Sequence, residues 1–117
     1  MNILIIEDEI LIQKSLKKLI EKRGHTVMAT ASGIEAIELI KNNEFHRIIS
    51  DLMLNDITGF DIIEDIKSKY SAEEIKELFI IMTAYSSEQV LEKAKQYGCK
   101  VLNKPFDNIK TAIDIFV

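Results

Sequence analysis

Apolar positions along this chain follow two alternating patterns, short continuous runs and helically spaced sets, and their order predicts the fold. Ile3-Leu4-Ile5-Ile6 is a continuous apolar run, the mark of a strand buried on both faces. From Glu9 to Arg23, Ile12, Leu16, Leu19 and Ile20 recur at helical spacing, and Gly24 follows as a C-terminal cap. Thr26 to Ala31 is rich in small and β-type residues and reads as a second strand. Ser32 suits the N-cap of a helix carrying Ile34, Ile37, Leu39 and Ile40 and ending near Asn42-Asn43. A third strand is expected at Arg47-Ile48-Ile49-Ser50-Asp51, followed by a loop that ends at Gly59. Phe60 to Lys69 then places Ile62, Ile63 and Ile66 on one helical face. Leu78 to Met82 is the most apolar strand, and Ser86 or Ser87 caps a helix to Tyr97 with Gly98 after it. Lys100 to Asn103 gives a short fifth strand, and Asp107 opens a last helix that stops at Val117.

Five strands alternating with five helices through short loops imply parallel strands with helices on both faces of one sheet. The right-handed crossover rule leaves the doubly wound α/β arrangement as the natural topology. A chain of 117 residues fits a single domain, and no repeat, linker or low-complexity segment divides it. With 47% hydrophobic residues it can build a core without disulfides or structural metal. Cys99 is the sole cysteine, which rules out an intramolecular disulfide and suits a packing role. Met1 leads straight into a strand-like run rather than a basic leader, and no apolar run approaches the ~20 residues that span a membrane. A reducing, cytoplasmic setting is therefore expected. The net charge of −4, with Lys and Arg scattered along helices, argues against direct nucleic-acid binding.

Ligands of such sheets bind outside the carboxyl ends of the strands. Strand 1 delivers Glu7-Asp8-Glu9 there, strand 3 Asp51, strand 4 Thr83 and strand 5 Lys104. Carboxylates packed together repel unless a cation compensates, and Mg2+ does so with oxygen ligands while leaving room for phosphate oxygens. A carboxylate is also a competent nucleophile toward phosphorus, given positioning and neutralisation of the equatorial oxygens. A single strand-end Asp is more often a cap or turn residue, and a lone Thr or Lys-Pro says little. Their conjunction at four separate strand ends is much harder to dismiss.

Asp51 after an apolar strand, Gly59 eight residues on, Thr83-Ala84 and Lys104-Pro105-Phe106 together resemble the receiver domain of two-component response regulators. The resemblance covers essentially the whole chain, residues 1–117, as one receiver domain, whether free-standing or the N-terminal part of a longer regulator. It implies a flavodoxin-like fold with five parallel strands in the order 2-1-3-4-5 flanked by five helices. It further implies Asp51 as phospho-acceptor, Asp8 as direct Mg2+ ligand and Glu7 as a second acidic residue acting through water. The backbone carbonyl of Met53 corresponds to the remaining protein ligand. Thr83 corresponds to the hydroxyl that moves toward the phosphoryl group, Lys104 to its lysine partner, and Lys104-Pro105 to a cis peptide. The implied role is signalling rather than enzymatic turnover, with a histidine kinase or phosphotransfer protein as donor.

Several positions depart from the family pattern. Leu54-Asn55 replace the usual Met-Pro, which predicts a looser loop after the acceptor. Val101 stands where an aromatic residue ordinarily reports phosphorylation, leaving Tyr85 as a candidate reporter. Bulky Met53 and Tyr85 at positions that flank attacking water suggest slow hydrolysis of the phosphoryl group. Ile10 and Leu11, left over from the core face of the first helix, are candidates for kinase docking. The helix 4–strand 5–helix 5 face, with Glu88, Glu92, Lys93, Lys95 and Gln96, is the expected output surface toward an effector or output domain. His25 and His46 lie away from the pocket. An Asp-nucleophile phosphatase resembling the haloacid dehalogenases is the alternative, but its signature requires Asp at position 53, where Met stands. A flavodoxin-like electron carrier is disfavoured by Glu7-Asp8-Glu9, the wrong charge for a flavin phosphate.

Overall fold

The computed structural model describes residues 1–106 and 108–117. Along the chain run β1 (Asn2–Ile6), α1 (Ile10–Lys22), β2 (Thr26–Thr30), α2 (Gly33–Asn42), β3 (Arg47–Asp51) and α3 (Gly59–Ile66). They are followed by α4 (Ala72–Leu78), β4 (Phe79–Thr83), α5 (Glu88–Tyr97), β5 (Lys100–Asn103) and α6 (Ile109–Phe116). The five strands form one parallel sheet in the order β2-β1-β3-β4-β5, as expected. Because side chains alternate along a strand, each strand feeds two cores. Leu4, Ile6, Ile48 and Ile81 face a core closed by α2, α3, α4 and α5. Ile3, Ile5, Ile49 and Ile80 face a second core closed by α1 and α6.

Local signals explain most element ends. Ser32 accepts from the Glu35 amide and so caps α2, while Thr58 and Asp61 form a reciprocal capping box on α3. Ser87, rather than Ser86, caps α5 through the Val90 amide, and Gly98 closes it at φ 76°, where only glycine is unstrained. Asp107 lies outside the described residues; α6 begins at Ile109 with Asn108 as its cap.

The structure departs from the expected five helices by one. The segment between α3 and β4 contains α4, capped by the Ser71/Glu74 box. Leu78 is the last residue of α4 rather than the first of the strand, and the expected fourth and fifth helices are α5 and α6. Among the described residues no helix is long and apolar enough to cross a membrane.

Candidate functional site

The strand ends that carry polar residues meet at one edge of the sheet. Just past β1, the Glu7 amide still donates to the Thr30 carbonyl at 3.0 Å, so its side chain is held in the interior and fully buried. Asp8 follows at the rim. Asp51 ends β3, with its carboxylate 10% exposed. Carboxylate oxygens of Glu7, Asp8 and Asp51 all lie within 4.8 Å of one another. Lys104, reached directly after β5, puts its Nζ 2.5 Å from Glu7 Oε1 and 3.1 Å from Asp51 Oδ2. Its backbone is fixed by donation to the Thr83 carbonyl at 2.8 Å, and the Lys104-Pro105 peptide is cis, as the resemblance implied.

One ammonium against three carboxylates leaves the cluster short of positive charge. Burial drives the Glu7 pKa up to about 7, outweighing the hydrogen bonds from Lys104 and the Glu9 amide that favour its anion. Burial alone would lower the Lys104 pKa, but Glu7 and Asp51 reverse this and hold it above the usual lysine range. Breaking such a network by deleting one partner typically costs about 3–5 kcal/mol, because the other charge remains buried. The three carboxylates offer oxygen ligands, the kind that suits a hard divalent cation rather than a soft one.

A cleft of about 370 Å³ opens over these groups, bordered by Asp8, Asp51, Met53, Asn55, Ala84 and Tyr85. Thr83 is fully buried, and its Oγ1 accepts from the Tyr85 amide at 2.9 Å, which leaves its own hydrogen free to donate. Tyr85 and Met53 are 70% and 51% exposed and flank the opening. Gly59 earns its place by proximity: a Cβ there would lie 3.3 Å from the Asp51 carbonyl, pressing α3 away from the acceptor strand.

Other expectations can be placed. Glu9 stands at the N-cap of α1 without a side-chain cap bond, and its Oε1 is 3.9 Å from Lys104 Nζ. His25 pairs with the chain terminus and His46 accepts from the Asn2 amide, both at the far end of the sheet. Cys99 is buried, which pushes its thiol up to about 11 and disfavours the thiolate. Val101 is partly buried and packs against the first core, so the only aromatic ring at the cleft among the described residues is that of Tyr85.

The expected looseness of the loop at Leu54-Asn55 is overturned. Leu54 is buried, and Asp56 accepts three hydrogen bonds from Ser32, Gly33 and Ile34 that tie the loop to the start of α2, with a fourth from the neighbouring Ile57 amide. Nothing local in the sequence marks this clamp, because the partners of Asp56 at the start of α2 lie 22 to 24 residues away.

Comparison with known proteins agrees with this fold. The family model described as the response regulator receiver domain matches residues 3–114. The polar-differentiation response regulator DivK of Brucella ovis is 29% identical over 106 residues, covering 89% of this chain and 84% of that protein. The non-phosphorylated HemR receiver domain from Leptospira biflexa superposes with a TM-score of 0.84 at 29% identity, over 97% of this chain and 90% of that one. The response regulator TrrA from Thermotoga maritima, in complex with Mg(2+)-BeF, has a TM-score of 0.78 at 22% identity, covering 99% and 98% of the two chains. At that identity the likeness is one of fold.

Proposed function

This chain belongs to the response regulator receiver domain family of two-component signalling, and on that premise we propose that Asp51 accepts a phosphoryl group with Mg2+ bound beside it. The observation that carries the reading is the convergence of Glu7, Asp8 and Asp51 within 4.8 Å, with Lys104 3.1 Å from the acceptor oxygen. Asp8, Asp51 and the Met53 carbonyl would hold the ion, with Glu7 behind them through water. When bound, Mg2+ neutralises the crowded carboxylates and the phosphoryl oxygens.

The chain's own groups do the rest. An Asp51 carboxylate oxygen attacks phosphorus, forming the O–P bond as the N–P bond of a phosphohistidine donor breaks and its electron pair returns to the imidazole. Lys104 exchanges its contact with Asp51 for one with a phosphoryl oxygen, and the Thr83 hydroxyl turns to donate to another. Met53 and Tyr85 border the approach of water, and their bulk favours a long-lived phosphoryl group. The domain is a signalling element that assists its own phosphorylation and dephosphorylation rather than acting on external substrates.

A histidine kinase or phosphotransfer protein is the proposed donor. Supporting this, Ile10 and Leu11 are 48% and 83% exposed at the start of α1, and Leu11 and Ile12 border an apolar groove of about 310 Å³ with Phe106 and Ile109. Replacing Ile10 and Leu11 by Lys should slow transfer from a kinase and spare acetyl phosphate; equal loss with both donors rejects docking there. The α5–β5–α6 face, with exposed Glu88, Glu92, Lys93, Lys95 and Gln96, is the proposed route to an effector or output domain, with Tyr85 in place of the missing aromatic at Val101. A cytoplasmic setting, without direct nucleic-acid or membrane contact, belongs to the same reading. The function is tested by beryllofluoride and Mg2+ titration followed by NMR, where shifts centred on Asp51 are expected and none there refutes it.

A further inference from the structure

The loop between β3 and α3 is braced at both its base and its tip. At the base, the Gly59 amide donates to the Leu52 carbonyl at 2.8 Å, and Met53 and Thr58 form an antiparallel bridge. At the tip, Asp56 reaches the first turn of α2. Its Oδ2 accepts from Ser32 Oγ at 2.7 Å and the Ile34 amide at 3.0 Å, and its Oδ1 from the Gly33 amide at 3.0 Å. The Ile57 amide supplies a fourth bond at 2.9 Å, so the roughly four acceptor sites of a carboxylate are used.

Packing reinforces the polar clamp. A Cβ on Gly33 would lie 2.5 Å from Ile57 Cγ1 and 3.2 Å from Leu54 Cδ1, so both side chains rest directly on the bare backbone of α2. Asn55 brings no proline ring to restrict the tip, and the restraint on its backbone comes from Asp56 instead. Met53 is thus part of the closed base and borders the acidic cleft, whereas Asp56 at the anchored tip is not among the residues that line it.

We propose that Asp56 is a positioning residue for the divalent cation: by anchoring the loop tip to α2 it fixes where the Met53 carbonyl points into the Asp8–Asp51 site. The proposal rests on the assignment of the Met53 carbonyl as a metal ligand. A cation that demands near-ideal octahedral geometry depends on that placement more than one with flexible coordination, so the clamp favours Mg2+ over Ca2+.

The test is a Mg2+ and a Ca2+ titration of the wild type, Asp56→Ala, Asp56→Asn and Ser32→Ala, following the amide signals of Asp8, Asp51 and Met53 by NMR. Mg2+ affinity should fall about tenfold in Asp56→Ala, the scale of indirect ligand support, with a smaller fall for Ca2+. Asp56→Asn should recover part of the loss, and Ser32→Ala should shift the ratio of the two ions in the same direction with the fold intact. Unchanged Mg2+ affinity and an unchanged ion ratio, with only a lower Tm, would make Asp56 a helix cap and overturn the proposal. A wild type that binds Mg2+ but leaves the Met53 amide unmoved overturns it as well. A wild type that binds neither ion removes the metal assignment first, and the proposal with it.

Discussion

Two helices pack on the same face of the sheet beside the cleft, and they are held in opposite ways. α3 buries Gly59, Phe60, Ile62, Ile63 and Ile66, five of its eight residues, and carries a complete capping box. α5 buries only Ala94 of its ten. It is attached mainly at its far end, where Tyr97 stacks on Phe60 at 5.7 Å and donates to Glu64. The strands beside them differ likewise: β3 is buried from Ile48 to Asp51, whereas edge strand β5 is exposed at both ends and half-buried between them. Asp51 and Met53 thus belong to the braced half of the site. Thr83 and Lys104 lead into and out of the lightly held half, where local opening costs least.

The largest expected effect tests that contrast in stability. Ile63→Ala on α3 should lose about 2–5 kcal/mol by urea unfolding, since it empties a fully buried site. Leu91→Ala on α5, where the side chain is 47% exposed, should stay within about 0.5 kcal/mol. Similar losses would end the comparison.

A middle-sized effect comes from Glu7. Its carboxyl is raised to about 7 in the fold from an ordinary 4.5, so between those values the folded chain binds more protons than the unfolded one. Its contribution to metal-free stability is therefore complete below about pH 4.5 and is lost as pH rises through about 7. Mg2+ competes with the same proton, so its apparent affinity should fall below about pH 7, by up to roughly tenfold per unit. Flat affinity across that window would remove Glu7 from the site. The smallest effect is local: amide hydrogens of α5 should exchange faster than those of α3 under native conditions, and equal protection would contradict the looser attachment.

How far the sequence could carry this account follows from the range of each interaction. Ile3 to Ile6, Ile48-Ile49 and Phe79 to Met82 are local apolar runs, so these strands were legible, while their order in the sheet was implied by the family resemblance. The strand-end rule then brought Glu7, Asp8, Asp51, Thr83 and Lys104 together from distant segments. α4 was missed because Ile75 and Leu78 are its only large apolar residues and Leu78 also continues the strand pattern, although Ser71 and Glu74 spell a capping box that could have marked it. The clamp at Asp56 and the Tyr97–Glu64 contact were not legible, since each joins side chains across tens of residues with no periodic trace. The loop expected to be loose is anchored for that reason.

The central claim rests on Asp51 itself. The most direct measurement is intact-mass analysis after incubation with acetyl phosphate, with and without Mg2+, for the wild type and Asp51→Asn. One phosphoryl group gained by the wild type only when Mg2+ is present, and none by the variant, is the predicted result. Uptake by Asp51→Asn equal to that of the wild type, or no uptake by either, would contradict it.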